Sequence, residues 1–302
     1  MVRALAVPVL LAALVAASGC KKKKAEEQAA PPAAQDAGAG LHPPTAEEAL
    51  KAFDADCVAG NSEACRNLGV LYAEGNGVPA DPRRAIALYG QACDLNNAAA
   101  CNNLGLVLLQ GHGVPADPEA ARRWFGKSCD GKSLLGCRNL AMALARGDGG
   151  TQDAAAALAL FIKTCDDGLV LACTNAAQLT ASGDGVAKDA HAAVRLYQRA
   201  CEGGDPSGCR LLGAAYLLGE GVPAGAAPAA LWMGKACDRN DAIACRVLGE
   251  LYRDGRGVTK DAVRAAELLD HACKLGEAAA CPPEAAGDGG PAPAAPDRGS
   301  PP

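Results

Sequence analysis

Cys93-Asp-Leu-Asn-Asn-Ala-Ala-Ala-Cys101-Asn-Asn-Leu-Gly-Leu-Val-Leu-Leu-Gln-Gly111-His-Gly113 carries two cysteines eight residues apart, then glycines ten and twelve residues beyond the second. The cysteine pair recurs every 36 residues without a slip of register: Cys57 and Cys65, Cys93 and Cys101, Cys129 and Cys137, Cys165 and Cys173, Cys201 and Cys209, Cys237 and Cys245, Cys273 and Cys281. The glycines keep the same phase in six full units, as Gly75/Gly77, Gly111/Gly113, Gly147/Gly149, Gly183/Gly185, Gly219/Gly221 and Gly255/Gly257. A strict period of this length marks a solenoid of small helical units, each of which buries its apolar face only against its neighbours.

Each unit reads as a helix-turn-helix. One helix of about three turns fits between the second cysteine and the first glycine, as in Cys65-Arg-Asn-Leu-Gly-Val-Leu-Tyr72. The first glycine suits a left-handed residue at the helix end, and the second allows the chain to reverse. The next helix opens at Asp81, Asp117, Asp153, Asp189 and Asp261, and Asp81-Pro82 and Asp117-Pro118 set a capping carboxylate before a proline at the first helical position. Thr45-Ala-Glu-Glu48 offers a capping box to a leading half-unit. Alanine stands twenty residues after the second cysteine of six pairs, at Ala85, Ala121, Ala157, Ala193, Ala229 and Ala265, with Ala49 in phase ahead of them. A position held by alanine predicts a tight helix crossing, filled one turn on by Leu88/Tyr89, Trp124/Phe125, Leu160/Phe161, Leu196/Tyr197 and Trp232/Met233.

The cysteines test this reading. In one unbroken helix, residues eight apart lie roughly 12 Å from each other, beyond the ~7 Å limit for a disulfide. A bridge between nearest cysteines therefore requires a turn between them, at the corner where one helix hands over to the next. Pairing of Cys65 with Cys93 inside one hairpin is the rival that spacing leaves open. Composition agrees with a helical stack: 50% of residues are hydrophobic and only 3% aromatic. A net charge of −5 lacks the basic face of a nucleic-acid binder.

Asn67-Leu68-Gly69-Val-Leu-Tyr72, Gly75-x-Gly77-Val78-Pro79-x-Asp81, Ala85 and Ala92 together resemble the Sel-one-like repeat, a relative of the tetratricopeptide repeat. The regular cysteine pair is similar to that of the Helicobacter cysteine-rich protein family within it. The resemblance spans about Thr45 to Cys281 and implies an all-α, right-handed α/α solenoid of 36-residue helix-turn-helix repeats, stapled by disulfides. Three units depart from the pattern: Gly147-Asp-Gly-Gly150-Thr lacks Val-Pro, Asn175-Ala-Ala lacks Leu-Gly, and Gly225 replaces the capping aspartate, so looser packing is expected there.

Cys20 stands outside the period. Arg3, the apolar stretch Leu5 to Ala16 and the small residues Ala17-Ser18-Gly19 read as an export signal over residues 1–19, with an apolar part too short to span a bilayer. The small residues ending at Gly19-Cys20 resemble the lipobox of bacterial lipoproteins, which implies lipidation at Cys20; Ala17 departs from the usual leucine, and cleavage with release is the alternative. With Lys21 rather than aspartate next, the resemblance implies an outer-membrane lipoprotein facing the periplasm or the cell surface. Residues 20–44 and 282–302, rich in Ala, Pro and Gly, are expected to be a disordered tether and tail around a folded body at 45–281. Paired cysteines in an exported chain point to an oxidising compartment.

Several chemical motifs coincide with the period. Gly126-Lys-Ser-Cys-Asp-Gly131-Lys132-Ser133 matches a phosphate loop formally, but it fills the phase of Gly90 to Asn97 and holds Cys129 at its centre. Arg146-Gly147-Asp148 falls on an ordinary helix-ending glycine. His42, His112, His191 and His271 show no i, i+4 pairing, and the cysteine spacing differs from short zinc knuckles, so no metal ligand and no cofactor is assigned. Some relatives in the cysteine-rich family carry a β-lactamase label. A serine hydrolase of that kind needs Ser-x-x-Lys, which occurs here only as Ser18-Gly-Cys-Lys21 across the cleavage point, so β-lactam binding or hydrolysis is the alternative and enzymatic activity is not the expectation.

Recognition is the reading that remains. In related solenoids the first helices line a concave surface that follows a partner. Two residues after the second cysteine stand Asn67, Asn103, Asn139 and Asn175; one residue after it stand Arg66, Arg138, Arg210 and Arg246. Amides there would hydrogen-bond a ligand backbone and guanidinium groups would meet carboxylates, while the alternative is bonding between neighbouring units. The amide ladder stops after Asn175, which places the expected binding surface on the first four units. The expected function is an envelope-anchored scaffold binding a protein or peptide partner, held to the membrane through its lipid and not contacting nucleic acid.

Overall fold

The computed structural model describes residues 46–282. Over these residues the chain forms thirteen α-helices and no strand. A leading helix α1 (Ala46–Val58) precedes six hairpins: α2 (Ser62–Glu74) with α3 (Pro82–Asp94), α4 (Ala98–Gln110) with α5 (Pro118–Asp130), α6 (Leu134–Arg146) with α7 (Ala154–Asp166), α8 (Val170–Ser182) with α9 (Ala190–Glu202), α10 (Pro206–Leu218) with α11 (Ala226–Cys237), and α12 (Ala242–Asp254) with α13 (Ala262–Lys274). A 3₁₀ turn at Ala278–Ala280 follows. Each helix packs on the next along the chain, and α4 also touches α6. No helix among the described residues is long and apolar enough to cross a membrane. The export signal, Cys20, the tether, Thr45 and the tail beyond Pro282 lie outside the described residues.

Local chemistry sets the helix ends where the period places them. Asp81, Asp117, Asp153, Asp189 and Asp261 each accept a backbone N–H from the first turn of their helices. Asn61, Asn97, Ser133, Asp205 and Asp241 do the same for the first helices of five repeats. Leu169 and Gly225 supply no such bond to α8 and α11. Even without a capping side chain, α11 opens in phase at Ala226, and Ala229 and Met233 are buried as tightly as their counterparts. The loosening expected at Gly225 therefore does not reach the core. The first helices of all six hairpins end in a left-handed glycine.

The core is a chain of small clusters rather than one centre. Ala85, Ala121, Ala157, Ala193, Ala229 and Ala265 are fully or almost fully buried. One turn on, Tyr89, Phe125, Phe161, Tyr197 and Met233 fill the crossing; Trp124, Leu160, Leu196 and Trp232 are less deeply buried than these. In four repeats a glycine of the facing helix admits this close approach, at Gly69, Gly105, Gly213 and Gly249, while the buried Ala141 and Ala177 take its place in the other two. A Cβ on Gly105 would lie 2.6 Å from Phe125 Cε1 and 3.2 Å from the Ala121 carbonyl oxygen. Several polar residues in the core find carbonyl partners: Ser128 Oγ donates to the Ala98 carbonyl at 2.6 Å and Thr164 Oγ1 to that of Leu160 at 2.7 Å. No buried side-chain nitrogen or oxygen among the described residues is without a partner.

All seven nearest-neighbour cysteine pairs are bridged, and the rival pairing of Cys65 with Cys93 does not form. The bridges are Cys57–Cys65, Cys93–Cys101, Cys129–Cys137, Cys165–Cys173, Cys201–Cys209, Cys237–Cys245 and Cys273–Cys281, with Cα atoms 4.4–4.9 Å apart. Cys173 and Cys209 illustrate the geometry: each sits in the first turn of its helix, α8 or α10, and faces the last turn of the helix before it, which carries Cys165 or Cys201. Six bridges clasp helix to helix in this way, and the seventh ties α13 to the residue after the 3₁₀ turn. A second contact joins consecutive repeats. The second glycine of a turn lies against the start of the preceding repeat's second helix, so that a Cβ on Gly149 would meet the Pro118 carbonyl oxygen at 2.2 Å and one on Gly221 the Ala190 carbonyl oxygen at 2.2 Å.

Two outcomes test this packing. Gly105→Ala is expected to cost about 1–3 kcal/mol by overpacking, whereas Gly126→Ala, a helical glycine with nothing within 4 Å of the new Cβ, is expected to add about 0.5–1 kcal/mol. Denaturant melts of the two variants should move in opposite directions. Replacing Cys93 and Cys101 together by serine is expected to lower stability by about 2–3 kcal/mol through the unfolded chain, and an unchanged denaturation midpoint would show that this clasp is idle.

Candidate protein-binding surface

The position after the second cysteine sits near the start of each first helix, towards the next repeat. In three repeats it bonds the residue that precedes the following first helix or 3₁₀ turn. Thr174 Oγ1 donates to an oxygen of Asp205. Arg210 Nε donates to Asp241 Oδ2 at 2.9 Å, and Arg246 Nε to Glu277 Oε1 at 3.2 Å. Asp205 and Asp241 meanwhile cap their own helices through the other carboxylate oxygen. Arg246 also reaches Glu250 at 2.7 Å. These acceptors are the partners that a reading of the ladder alone misses. Their signal in the sequence is the repeated separation of 31 residues between donor and acid.

The amides are also engaged. Asn139 Nδ2 donates to Asn102 Oδ1 at 2.7 Å, and Asn175 Oδ1 accepts from Arg138 Nε at 2.7 Å, both across repeats. Asn103 faces the Tyr89 phenol and favours its ionised form. Asn67 is half-buried on α2. Arg66 pairs with Glu63 on its own helix, and Asn97 Nδ2 donates to the same carboxylate at 3.0 Å. The bonds from Arg66 and Asn97 hold the Glu63 carboxyl below its ordinary range.

Arg138, Asn175 and Arg210 converge on one cavity of about 180 Å³, completed in part by Leu171, Thr174 and Asp205. It lies where α6, α8 and α10 follow one another, so three consecutive repeats contribute. Burial, followed by repulsion from Arg146, lowers the Arg138 pKa, and Asp205 opposes both. The group stays cationic but is poorly hydrated, a state in which a ligand carboxylate replaces little water. Leu171 on the cavity wall is 45% exposed, and Leu135, in phase one repeat earlier, is 51% exposed. The arrangement offers guanidinium donors, an amide and an apolar edge, and its one hydroxyl–carboxylate pair, Thr174 with Asp205, joins two repeats.

The other sequence motifs fall into structural roles. Gly126 to Ser133 runs from the last turns of α5 into the cap of α6, with no strand before it and the Cys129–Cys137 bridge at its centre. Gly147 of the Arg-Gly-Asp tripeptide is the left-handed end of α6. His42 and Ser18 to Lys21 lie outside the described residues. Among the described residues, Cys237, Cys245 and His271 bring metal-ligating atoms close together, and in the oxidised chain the two sulfurs of this cluster are joined to each other.

Two largely buried phenols titrate late. Burial, then Glu74, pushes the Tyr89 pKa from 10.0 to about 12 against the opposing Arg66 and Asn103; burial, then Glu220, does the same for Tyr197 against Arg210. The folded chain thus favours the neutral phenol. That stabilisation is complete below pH 10 and disappears as pH rises through about 12. Phenolate absorbance is expected to show two equivalents ionising near pH 12, with thermal stability falling over the same window and the fall reduced in Tyr89→Phe and Tyr197→Phe.

Stacked helix pairs with corner bridges define a helical-repeat scaffold. The Sel1 repeat model matches residues 62–97, 98–133, 134–169, 170–205, 206–241 and 242–277, and the chain belongs to the Sel1 repeat family. Sel1-repeat proteins are protein-interaction modules. Among solved structures it resembles a Sel1 repeat protein from Oxalobacter formigenes at 30% identity and a TM-score of 0.68, covering 76% of this chain and 95% of that one. It also resembles a protective antigen of uropathogenic Escherichia coli at 25% identity and a TM-score of 0.67, covering 78% of this chain and 50% of that one. The chain therefore spans half the length of that antigen. Helicobacter pylori cysteine rich protein B matches at 30% identity over 41% of this chain and 90% of its own, with a TM-score of 0.35. No curated protein matches the chain.

Proposed function

We propose that this protein is an envelope-anchored scaffold that binds an acidic segment of a partner protein across the first helices of its third to fifth repeats. The observation that carries the reading is the convergence of Arg138, Asn175 and Arg210 on one cavity beside exposed Leu171. This centre lies further along the stack than the amide ladder alone suggests, because the arginines and not the amides supply its charge. Each of the two arginines is anchored to the fold through its Nε. A guanidinium has five donors, so capacity remains for a bidentate carboxylate. Exposed Leu171 on its wall favours a bulky apolar residue next to that acid. Export, a lipid on Cys20 and an outer-membrane location complete the proposal; seven disulfides agree with an oxidising compartment outside the cytosol.

The soluble chain beginning at Lys21, offered to a peptide library, is expected to enrich peptides with Asp or Glu beside Leu or Phe. Binding should weaken with salt. Arg138→Ala and Arg210→Ala are expected to reduce affinity by about tenfold or more each. Because Arg210 also braces Asp241, thermal melts of each variant are needed beside the binding curves, and Arg138→Lys separates charge from fork geometry. Unselective capture, or equal binding by both alanine variants, would remove the reading.

A further inference from the structure

In several repeats, the side chain two residues before the first cysteine of a pair reaches back over the preceding disulfide. Gln91 Nε2 donates to the Cys57 carbonyl at 3.4 Å, and Arg199 Nη2 to the Cys165 carbonyl at 3.1 Å. Lys127 lines a cavity together with Cys93 and Cys101. In the sixth repeat this position is His271. Its half-buried imidazole and the sulfurs of Cys237 and Cys245 all offer ligand atoms within 4.8 Å of one another. The amide, ammonium and guanidinium groups that occupy the position elsewhere are poor metal ligands, whereas a neutral imidazole is a good one. His271, Cys237 and Glu267, the last one turn earlier on α13, line a cavity of about 190 Å³ that supplies an entry path and room for a fourth ligand.

We propose that reduction of the Cys237–Cys245 disulfide by a dithiol opens a Zn²⁺ site built from the two thiolates and the His271 imidazole, with Glu267 or water in the fourth place. The dithiol donates two electrons, splits the S–S bond and leaves as its own disulfide, while its two protons pass to the cysteine sulfurs. Zn²⁺ then displaces those two protons to solvent. A donor set of two sulfurs and one nitrogen suits zinc and not the hard cations Ca²⁺ or Mg²⁺. The Cα atoms of the pair are 4.6 Å apart, so the sulfurs separate by side-chain rotation with the helices in place. The oxidised clasp and the metal clasp thus join the same corner, α11 to α12, and the metal adds α13.

The test uses the full, disulfide-intact chain titrated with Co²⁺ and Zn²⁺ before and after a phosphine reductant, which does not compete for the metal as a dithiol does. Alkylation and peptide mapping identify the pairs that open, and circular dichroism follows the helices. Expected are no cobalt uptake by the oxidised chain, one equivalent with thiolate-to-cobalt absorption after reduction, and protection of Cys237 and Cys245 from alkylation by Zn²⁺. His271→Gln should lose that uptake while its pair is reduced equally, and Lys127→His should create a second equivalent at the Cys93/Cys101 corner. The proposal is overturned by no uptake once both thiols are free, by undiminished uptake in His271→Gln, or by a pair that opens only when the helices melt.

Discussion

The fold depends on the corner between repeats. A hairpin whose tightest positions are alanines removes little apolar surface from water, since stabilisation scales with the area buried at roughly 25 cal/mol per Å². Such a unit does not stand alone and gains its order from its neighbours. At each corner a disulfide ties the outgoing helix to the incoming one, and the second glycine of the turn admits the start of the previous repeat's second helix. In the later repeats the residue after the second cysteine bonds the acid that precedes the next helix or turn. Covalent closure, steric fit and polar pairing thus act on one junction, repeated along the stack.

The same junction explains why the candidate surface is not a free ladder of polar groups. Arg138, Asn139, Arg210 and Arg246 on the first helices are held by neighbouring repeats, which fixes their rotamers ahead of any ligand. Preorganisation of this kind lowers the entropy lost on binding. It also ties recognition to the integrity of the stack: Arg138, Asn175 and Arg210 share a cavity only while three consecutive repeats keep their spacing. Specificity can then change one side chain per repeat without altering the frame.

Much of this architecture is legible in the chain itself. The period places the helices, the aspartates and glycines place their ends, and the alanine column places the crossings, because each is a local requirement of backbone geometry or close packing. The cysteine spacing leaves nearest-neighbour bridges and a bridge within one hairpin both open, and the folded corner decides for the former. The polar residues are legible as positions but not as partners. Arg210 is visible, yet its bond to Asp241 shows only as a 31-residue spacing shared with Arg246 and Glu277, since each has a separate role within its own repeat. Asn175 groups with other asparagines by phase, whereas its bond joins it to an arginine of the previous unit.

The amino-acid sequence by itself determined a disulfide-clasped stack of helix pairs, because a 36-residue rhythm of small residues, caps and cysteines has few other ways to bury itself. Only the tertiary structure decided which side chains meet: the cavity of Arg138, Asn175 and Arg210, and the placement of His271 against the distant pair Cys237 and Cys245. The reason is physical. Periodicity constrains each repeat's internal geometry, while the rotation and rise between repeats, which bring residues of different units within bonding distance, are set by packing summed over the whole interface.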